Sequence, residues 1–184
     1  MDPEFVERIV FTEDEIAGRV RELGEEITAD YRRGRGAGRL AVVSILKGGF
    51  IFLADLIRQI DLDLTVDFMA ISGYRQPGSA SSGVRIVKDL SESVLNREVL
   101  VVEDIVDTGL TLSYIMRNLR SRGPSDLKVC ALLDRAGRRI APLEIDYRGF
   151  EVGDEYLVGY GLDHLQKWRN LRFICTLKGE RLAE

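Results

Sequence analysis

The chain has 184 residues, 45% of them hydrophobic and 30% charged, which suits one domain with a buried core and excludes a disordered or collagen-like chain. A formal net charge of −4 supplies no general attraction for nucleic acid or an anionic membrane, so any bound anion must be held by a local arrangement of groups. No apolar run approaches the ~18–20 residues of a membrane-spanning helix. The opening Met1-Asp2-Pro3-Glu4-Phe5 lacks the basic-then-apolar pattern of a secretory signal. A cytoplasmic protein without membrane or nucleic-acid partners is the expectation.

Thr12 and Glu15 stand in capping-box spacing, and Ile16, Val20, Leu23 and Ile27 follow at helical intervals, which predicts an amphipathic helix over 12–33. The glycine-rich stretch 34–38 follows a helix instead of a strand and lacks the glycine spacing of a dinucleotide fingerprint; it reads as a connector. Thereafter short apolar strands alternate with helices: strand Leu40 to Leu46, helix Gly48 to Ile60, strand Leu64 to Ile71, strand Val99 to Val102, helix Leu110 to Leu119 and strand Leu127 to Leu133. This alternation predicts an α/β fold with a central, mainly parallel sheet covered by helices on both faces. Cys130 and Cys175 lie in apolar segments without CxxC spacing, and are expected as buried thiols.

Residues 72–83 are small and polar between two strand-like segments and are expected to form a long mobile loop or hairpin. From Gly137 onward the pattern is irregular, with short strands around Tyr147, Leu157 and Phe173, which suggests a small lobe appended to a single domain spanning 1–184.

The most informative stretch runs from Leu100 to Thr111. A buried strand leads into Glu103, Asp104 and Asp107, and then into Thr108-Gly109-Leu110-Thr111, which opens a helix. Ligands of open α/β sheets sit at the carboxyl ends of strands, and a helix N-terminus offers unpaired N–H groups and a favourable dipole for phosphate. Thr108 and Thr111 add hydroxyls around a glycine, so this half reads as a monophosphate cradle. Carboxylates beside a phosphate repel it, so Glu103 and Asp104 fit sugar hydroxyls or Mg²⁺ instead. The absence of GxxxxGK[ST] argues against a P-loop hydrolase.

With that segment the chain resembles the type I phosphoribosyltransferases, and within them the branch acting on 6-oxopurines. The resemblance extends over Ile45-Leu46-Lys47-Gly48-Gly49, the loop ending Ser81-Ser82-Gly83, Val99 to Thr111, Leu132-Leu133-Asp134-Arg135, and Tyr156 to Asp163 through Arg169-Asn170-Leu171. It implies Mg²⁺-dependent transfer of the 5-phosphoribosyl group from phosphoribosyl pyrophosphate (PRPP) to N9 of hypoxanthine or guanine, in a fold with a base-binding hood over about 135–184. By position, Glu103 and Asp104 would hold the ribose, directly or through Mg²⁺. Asp107 would face N7 of the purine as the catalytic carboxylate, and residues Asp107, Thr108, Gly109, Leu110 and Thr111 would bind the 5′-phosphate. Lys47, Gly48 and Arg169 would meet pyrophosphate, with a non-proline cis peptide before Lys47. Asp163 would bind a second Mg²⁺ beside the purine, Tyr156 would stack on the base, and the Leu157 backbone would meet its edge. Gly73 and Tyr74 belong to a lid that would shield the reaction from water.

Two positions depart from the family pattern. Arg135 stands where Lys is usual, and the planar guanidinium is not a substitute for a point ammonium; Gly73 stands where Ser usually precedes the lid tyrosine. His164, the only histidine, has no nucleophile context and is expected to be a loop residue without chemical role. The alternatives carried beside the leading reading are a xanthine-preferring transferase and a PRPP- or nucleotide-sensing RNA-binding regulator on the same fold. The resemblance also implies a homodimer or homotetramer.

Overall fold

The computed structural model describes residues 3–33, 40–75 and 82–179; the predicted connector at 34–38 lies outside them. In chain order the elements are β1 (Val6–Phe11), α1 (Glu13–Arg33), β2 (Leu40–Leu46), α2 (Phe50–Leu56), β3 (Leu64–Arg75), β4 (Ser82–Lys88), β5 (Glu98–Val106), α3 (Leu110–Arg120), β6 (Asp126–Asp134), β7 (Tyr147–Glu151), β8 (Leu157–Val158) and β9 (Ile174–Leu177). The capping box at the start of α1 closes as its spacing predicts. Glu15 Oε2 accepts from the Thr12 backbone N–H at 2.8 Å, and Thr12 Oγ1 accepts from the Glu15 N–H at 3.3 Å. Ile16, Val20, Leu23 and Ile27 form the buried stripe of that helix. Full burial of a side chain such as Leu23 or Ile27 contributes about 1.5–3 kcal/mol.

A six-stranded sheet in the order β4-β3-β2-β5-β6-β7 forms the centre. The β3, β2, β5, β6 and β7 pairings are all parallel, and β4 alone is antiparallel, at one edge. Alternate residues of the central strands face two separate cores. Val42, Leu100 and Val102 pack with α1 and α2, whereas Val43, Val99 and Val101 pack with Ile115 and Leu119 of α3. Cys130 and Cys175 are free, buried thiols, as expected. Among the described residues no helix is long and apolar enough to cross a membrane.

Several predicted boundaries move, each for a physical reason. The helix expected over Gly48 to Ile60 shrinks to Phe50–Leu56, because residues 47–49 form a turn and Ile57 to Gln59 unwinds into another. β3 runs past Ile71 to Arg75, through Ser72, Gly73 and Tyr74, and pairs there with β4. Ladder hydrogen bonds come from the backbone and need no apolar side chains, so polarity hid these strands. The stems of the predicted 72–83 loop are thus a hairpin, and the remainder of the lid, 76–81, lies outside the described residues. β5 likewise continues beyond Val102 through both acids to Val106.

The appended lobe is a three-stranded sheet in the order β1-β9-β8. Its first strand comes from the N-terminus, a segment for which the sequence predicted no strand. Val6–Phe11 carries Glu7 and Arg8 in its middle and is mostly exposed, so no clean alternation marks it. β7, expected within the lobe, instead completes the edge of the main sheet beside β6.

Candidate active site

β2 lies between β3 and β5, parallel to both. The connection leaving β2 goes to one side and the connection leaving β5 to the other, so their carboxyl ends flank a topological switch point, where α/β sheets open a crevice. The loops entering that crevice are Lys47 to Gly49 and Asp107 to Gly109.

On the β5 side, Gly109 caps α3 with a left-handed φ of 75°, a conformation that glycine adopts without a Cβ penalty. Thr108 is held by its carbonyl, which accepts from the Ile140 and Ala141 N–H groups at 2.9 and 3.1 Å. A cavity of about 200 Å³ opens above the loop, lined by Glu103, Asp107, Thr108, Gly109 and Thr111 among others; Leu110 is exposed at the helix start. Four of the five residues expected to hold the 5′-phosphate, Asp107, Thr108, Gly109 and Thr111, thus share one concave surface. A larger cavity of about 490 Å³, between α1, α2 and the Tyr160 to Arg172 segment, is lined by none of the residues predicted to bind substrate or metal.

The two consecutive acids diverge because strand side chains alternate. Glu103 lines the phosphate cavity, whereas Asp104 lies on the other side, against the Lys47 turn. Burial raises the Glu103 carboxyl well above the usual range, with the neighbouring Asp104 charge adding to it, and Glu103 Oε2 has no hydrogen-bond partner. Burial likewise raises Asp104 to about 6, opposed by its bond from the Ile105 N–H at 2.9 Å. Two half-buried carboxylates held this way fit a cation or sugar hydroxyls that would compensate them. Among the described residues no three acids, cysteines or histidines gather into a metal cage. Mg²⁺ characteristically uses only one or two carboxylates together with phosphate oxygens and water, so the residues present fit it.

Asp107 faces two guanidinium groups, Arg138 Nε at 3.4 Å and Arg135 Nη1 at 3.8 Å, and its Oδ1 lacks a hydrogen bond. Its carbonyl accepts from Arg139 Nη1 at 3.0 Å, and Arg139 also pairs with the buried Asp134. Arg148 Nε completes the pairing of Asp134 at 2.8 Å. Asp134 thus anchors the backbone of the loop that bears Asp107, a role that sequence reasoning did not assign. Arg135 is mostly committed to the protein: Nε donates to the Gly153 carbonyl at 3.0 Å and Nη2 to the Glu155 carbonyl at 2.5 Å.

On the β2 side, the Leu46–Lys47 peptide bond is cis, as the resemblance implied. A Cβ at Gly48 would land on the Asp104 carboxylate, and one at Gly161 would land on the Gly48 carbonyl. The turn is therefore clamped between β5 and the hood at two places where only glycine fits. Arg169 Nη1 donates to the Gly161 carbonyl at 2.7 Å, and Arg169 Nη2 pairs with Asp163 Oδ1 at 2.7 Å. Gln166 bridges the group: its Oε1 accepts from Arg169 Nη2 at 3.2 Å and from Lys47 Nζ at 3.5 Å. Nothing in the sequence marked Gln166, an exposed polar residue in an irregular loop.

Tyr156 is half exposed, and its hydroxyl donates to the Asp163 carbonyl at 3.0 Å. Leu157 is buried in β8, the edge strand of the lobe, which leaves one row of that strand's backbone groups unpaired. His164 meets the Tyr156 ring edge-on at 5.4 Å, Trp168 stacks on His164 at 5.9 Å, and Phe5 stacks on Trp168 at 5.3 Å. His164, expected to be a loop residue without chemical role, lies in a loop and packs edge-on against the tyrosine expected to stack on the base. Gly73 and Tyr74 pair with Val84 and Gly83 in the β3–β4 hairpin.

A family model described as a phosphoribosyl transferase domain matches residues 13–165. The chain is 43% identical over 173 residues to the hypoxanthine-guanine phosphoribosyltransferase of Bacillus subtilis, covering 94% of each chain. It superposes on a hypoxanthine phosphoribosyltransferase from Staphylococcus aureus with a TM-score of 0.90 at 41% identity, covering 97% of this chain and 95% of that one. A Trypanosoma cruzi hypoxanthine phosphoribosyl transferase gives a TM-score of 0.93 at 36% identity, covering 100% of this chain and 97% of that one. The crevice at the β2–β5 switch point and these matches agree: the chain belongs to the phosphoribosyltransferase family.

Proposed function

We propose that the protein is a purine-salvage transferase that moves the 5-phosphoribosyl group of PRPP to N9 of hypoxanthine or guanine, releasing pyrophosphate. The observation that carries this reading is that the 107–109 loop, Thr111 and Glu103 line one cavity, while Asp104 meets the Lys47-Gly48 turn, which Gly161 and Gln166 link to Arg169. The relatives named above are called after hypoxanthine and guanine, which favours those bases over xanthine. Their being transferases favours catalysis over a nucleotide-sensing, RNA-binding role.

In this reading the C1–O bond to pyrophosphate breaks with its electron pair leaving on oxygen, and the C1–N9 bond forms. The proton displaced from the base goes to Asp107 through N7, general-base work that is typically worth 10²–10⁴ in rate. Backbone N–H groups at 108–111 and the two threonine hydroxyls hold the 5′-phosphate. Lys47 and Arg169 meet the charge that develops on pyrophosphate. Glu103 and Asp104 would hold the ribose, directly or through Mg²⁺, and Asp163 would hold a second Mg²⁺; when bound, the metal supplies charge stabilisation to the leaving group. Tyr156 supplies the flat face for the base, and the β8 edge meets the purine rim. Gly73 and Tyr74, with the rest of 72–83, serve as the lid that excludes water.

Initial rates with hypoxanthine, guanine and xanthine at saturating PRPP test the reading. Turnover of the first two is the expected result. A dominant xanthine rate would transfer the protein to the xanthine-preferring class, and RNA retention in a gel shift without turnover of any base would replace catalysis by regulation. A cytoplasmic location and assembly into dimers or tetramers belong to the same proposal.

A further inference from the structure

We propose that Gln166 is a positioning residue that gathers the cations for the pyrophosphate end of PRPP, an inference that rests on the function proposed above. Lys47 leaves the main sheet after β2, whereas Arg169 and Asp163 lie more than a hundred residues later in the hood, and the Gln166 side chain joins them. Its single carbonyl oxygen accepts from both cations, Arg169 Nη2 at 3.2 Å and Lys47 Nζ at 3.5 Å. Its backbone N–H donates to Asp163 Oδ2 at 2.8 Å, and its Nε2 lies 3.4 Å from the same oxygen. Among the described residues Lys47 Nζ has no other hydrogen-bond partner. A flexible lysine stem and a guanidinium are thereby held within reach of one another before the anion arrives. Oriented this way, they lose less freedom when a diphosphate binds. Gln166 itself is exposed and takes no part in the core, and its left-handed backbone at φ 66° is no harder for Leu or Glu than for Gln, so the replacements are expected to fold, which a thermal melt checks.

The test compares Gln166→Leu, which removes the acceptor at similar volume, with Gln166→Glu, which keeps an acceptor oxygen. For Gln166→Leu the expected result is a KM for PRPP raised about tenfold, as for the loss of about 1.4 kcal/mol of binding. Its kcat and its KM for hypoxanthine should stay within about twofold, while Gln166→Glu returns the PRPP KM to within about threefold of the parent. Calorimetric titration with inorganic pyrophosphate and Mg²⁺ should give the same order of affinities without turnover. An unchanged PRPP KM and pyrophosphate affinity in Gln166→Leu overturns the assignment. So does a Gln166→Glu variant as impaired as Gln166→Leu. Absence of transfer by the unmodified protein counts against the proposed function instead, and the pyrophosphate titration then still decides the role of Gln166.

Discussion

Gly48 has no room for a side chain because the Asp104 carboxylate occupies the place where its Cβ would stand. The acid at the end of β5 and the turn at the end of β2 are therefore one unit, although 56 positions separate them in the chain. Gly48→Ala must displace either the carboxylate or the turn. We expect the KM for PRPP to rise at least about tenfold and kcat to fall by about two orders of magnitude, read by steady-state kinetics. Gly137→Ala is the control, since nothing lies within 4 Å of a Cβ there; it should behave as the parent. Near-normal kinetics for Gly48→Ala would mean that the two ends of the crevice act independently.

Asp107 places its carboxylate between Arg135 and Arg138, and Oδ1, which faces Arg138 at 3.4 Å, accepts no hydrogen bond. Asp107→Asn keeps the shape and removes the proton acceptor. Turnover should fall by about 10²–10³-fold, within the range for a lost general base, while PRPP affinity measured by calorimetry stays within about threefold. A comparable loss of PRPP affinity would show that the carboxylate supports the phosphate loop and not the base.

Which parts of this site the sequence revealed follows from the range of the interactions. The strand, loop and helix start that line one cavity were legible because strand, acids, glycine and helix start are consecutive between Leu100 and Thr111. The contacts of Gly48 with Asp104, and of Gly161 with Gly48, were not legible, since each depends on two segments that meet only after the sheet and hood assemble. The contacts of Gln166 and His164 were not legible for a related reason: a single polar or aromatic residue in an aperiodic loop carries no pattern, and its meaning lies in its neighbours. The β1 strand escaped because an exposed hood strand need not alternate, with Glu7 and Arg8 both facing solvent.

Arg135 adds a structural duty to the one expected of the family's lysine. Its fork ties β6 to the Gly153 and Glu155 carbonyls, and a lysine ammonium cannot reproduce that planar geometry. Arg135→Lys should retain activity while shifting the ratio of hypoxanthine to guanine kcat/KM. It should also lower Tm by several degrees, as loss of about 1–2 kcal/mol of hydrogen bonding does in a domain this size. Differential scanning calorimetry and the base panel check the two parts separately. An unchanged Tm would show that the carbonyl contacts contribute nothing to stability.

Burial raises Asp104 from 3.8 to about 6 and raises Glu103 in the same direction. For a carboxyl shifted upward, the stabilising contribution is present below its unfolded value and is lost as pH rises through the folded value, because the chain must then hold a buried charge. A cation bound there favours the ionised form and reverses that cost. The rise in Tm produced by Mg²⁺ with PRPP should therefore grow between pH 5 and pH 7. At pH 6 binding should release protons, measured by calorimetry in two buffers of different ionisation enthalpy, and Asp104→Asn should release fewer. A Tm rise independent of pH, or equal proton release by the variant, would remove Asp104 from the cation site.

The row Tyr156, His164, Trp168 and Phe5 runs from the expected base platform to the start of the chain. The edge-on contact of His164 limits rotation of the Tyr156 ring, while the tyrosine hydroxyl is fixed on the Asp163 carbonyl. An aromatic pair of this kind is worth about 0.5–1.5 kcal/mol beyond its buried area. His164→Ala should accordingly raise the KM for hypoxanthine by about three- to tenfold. The KM for PRPP should stay within about twofold, because Lys47 and Arg169 are tied to the hood through Gln166, Asp163 and Gly161. His164→Phe keeps an aromatic edge and should restore most of the base affinity. An increase in PRPP KM that matches the increase for hypoxanthine would place His164 in the hood's general scaffold, and failure of the phenylalanine to rescue would show that ring packing is not its contribution.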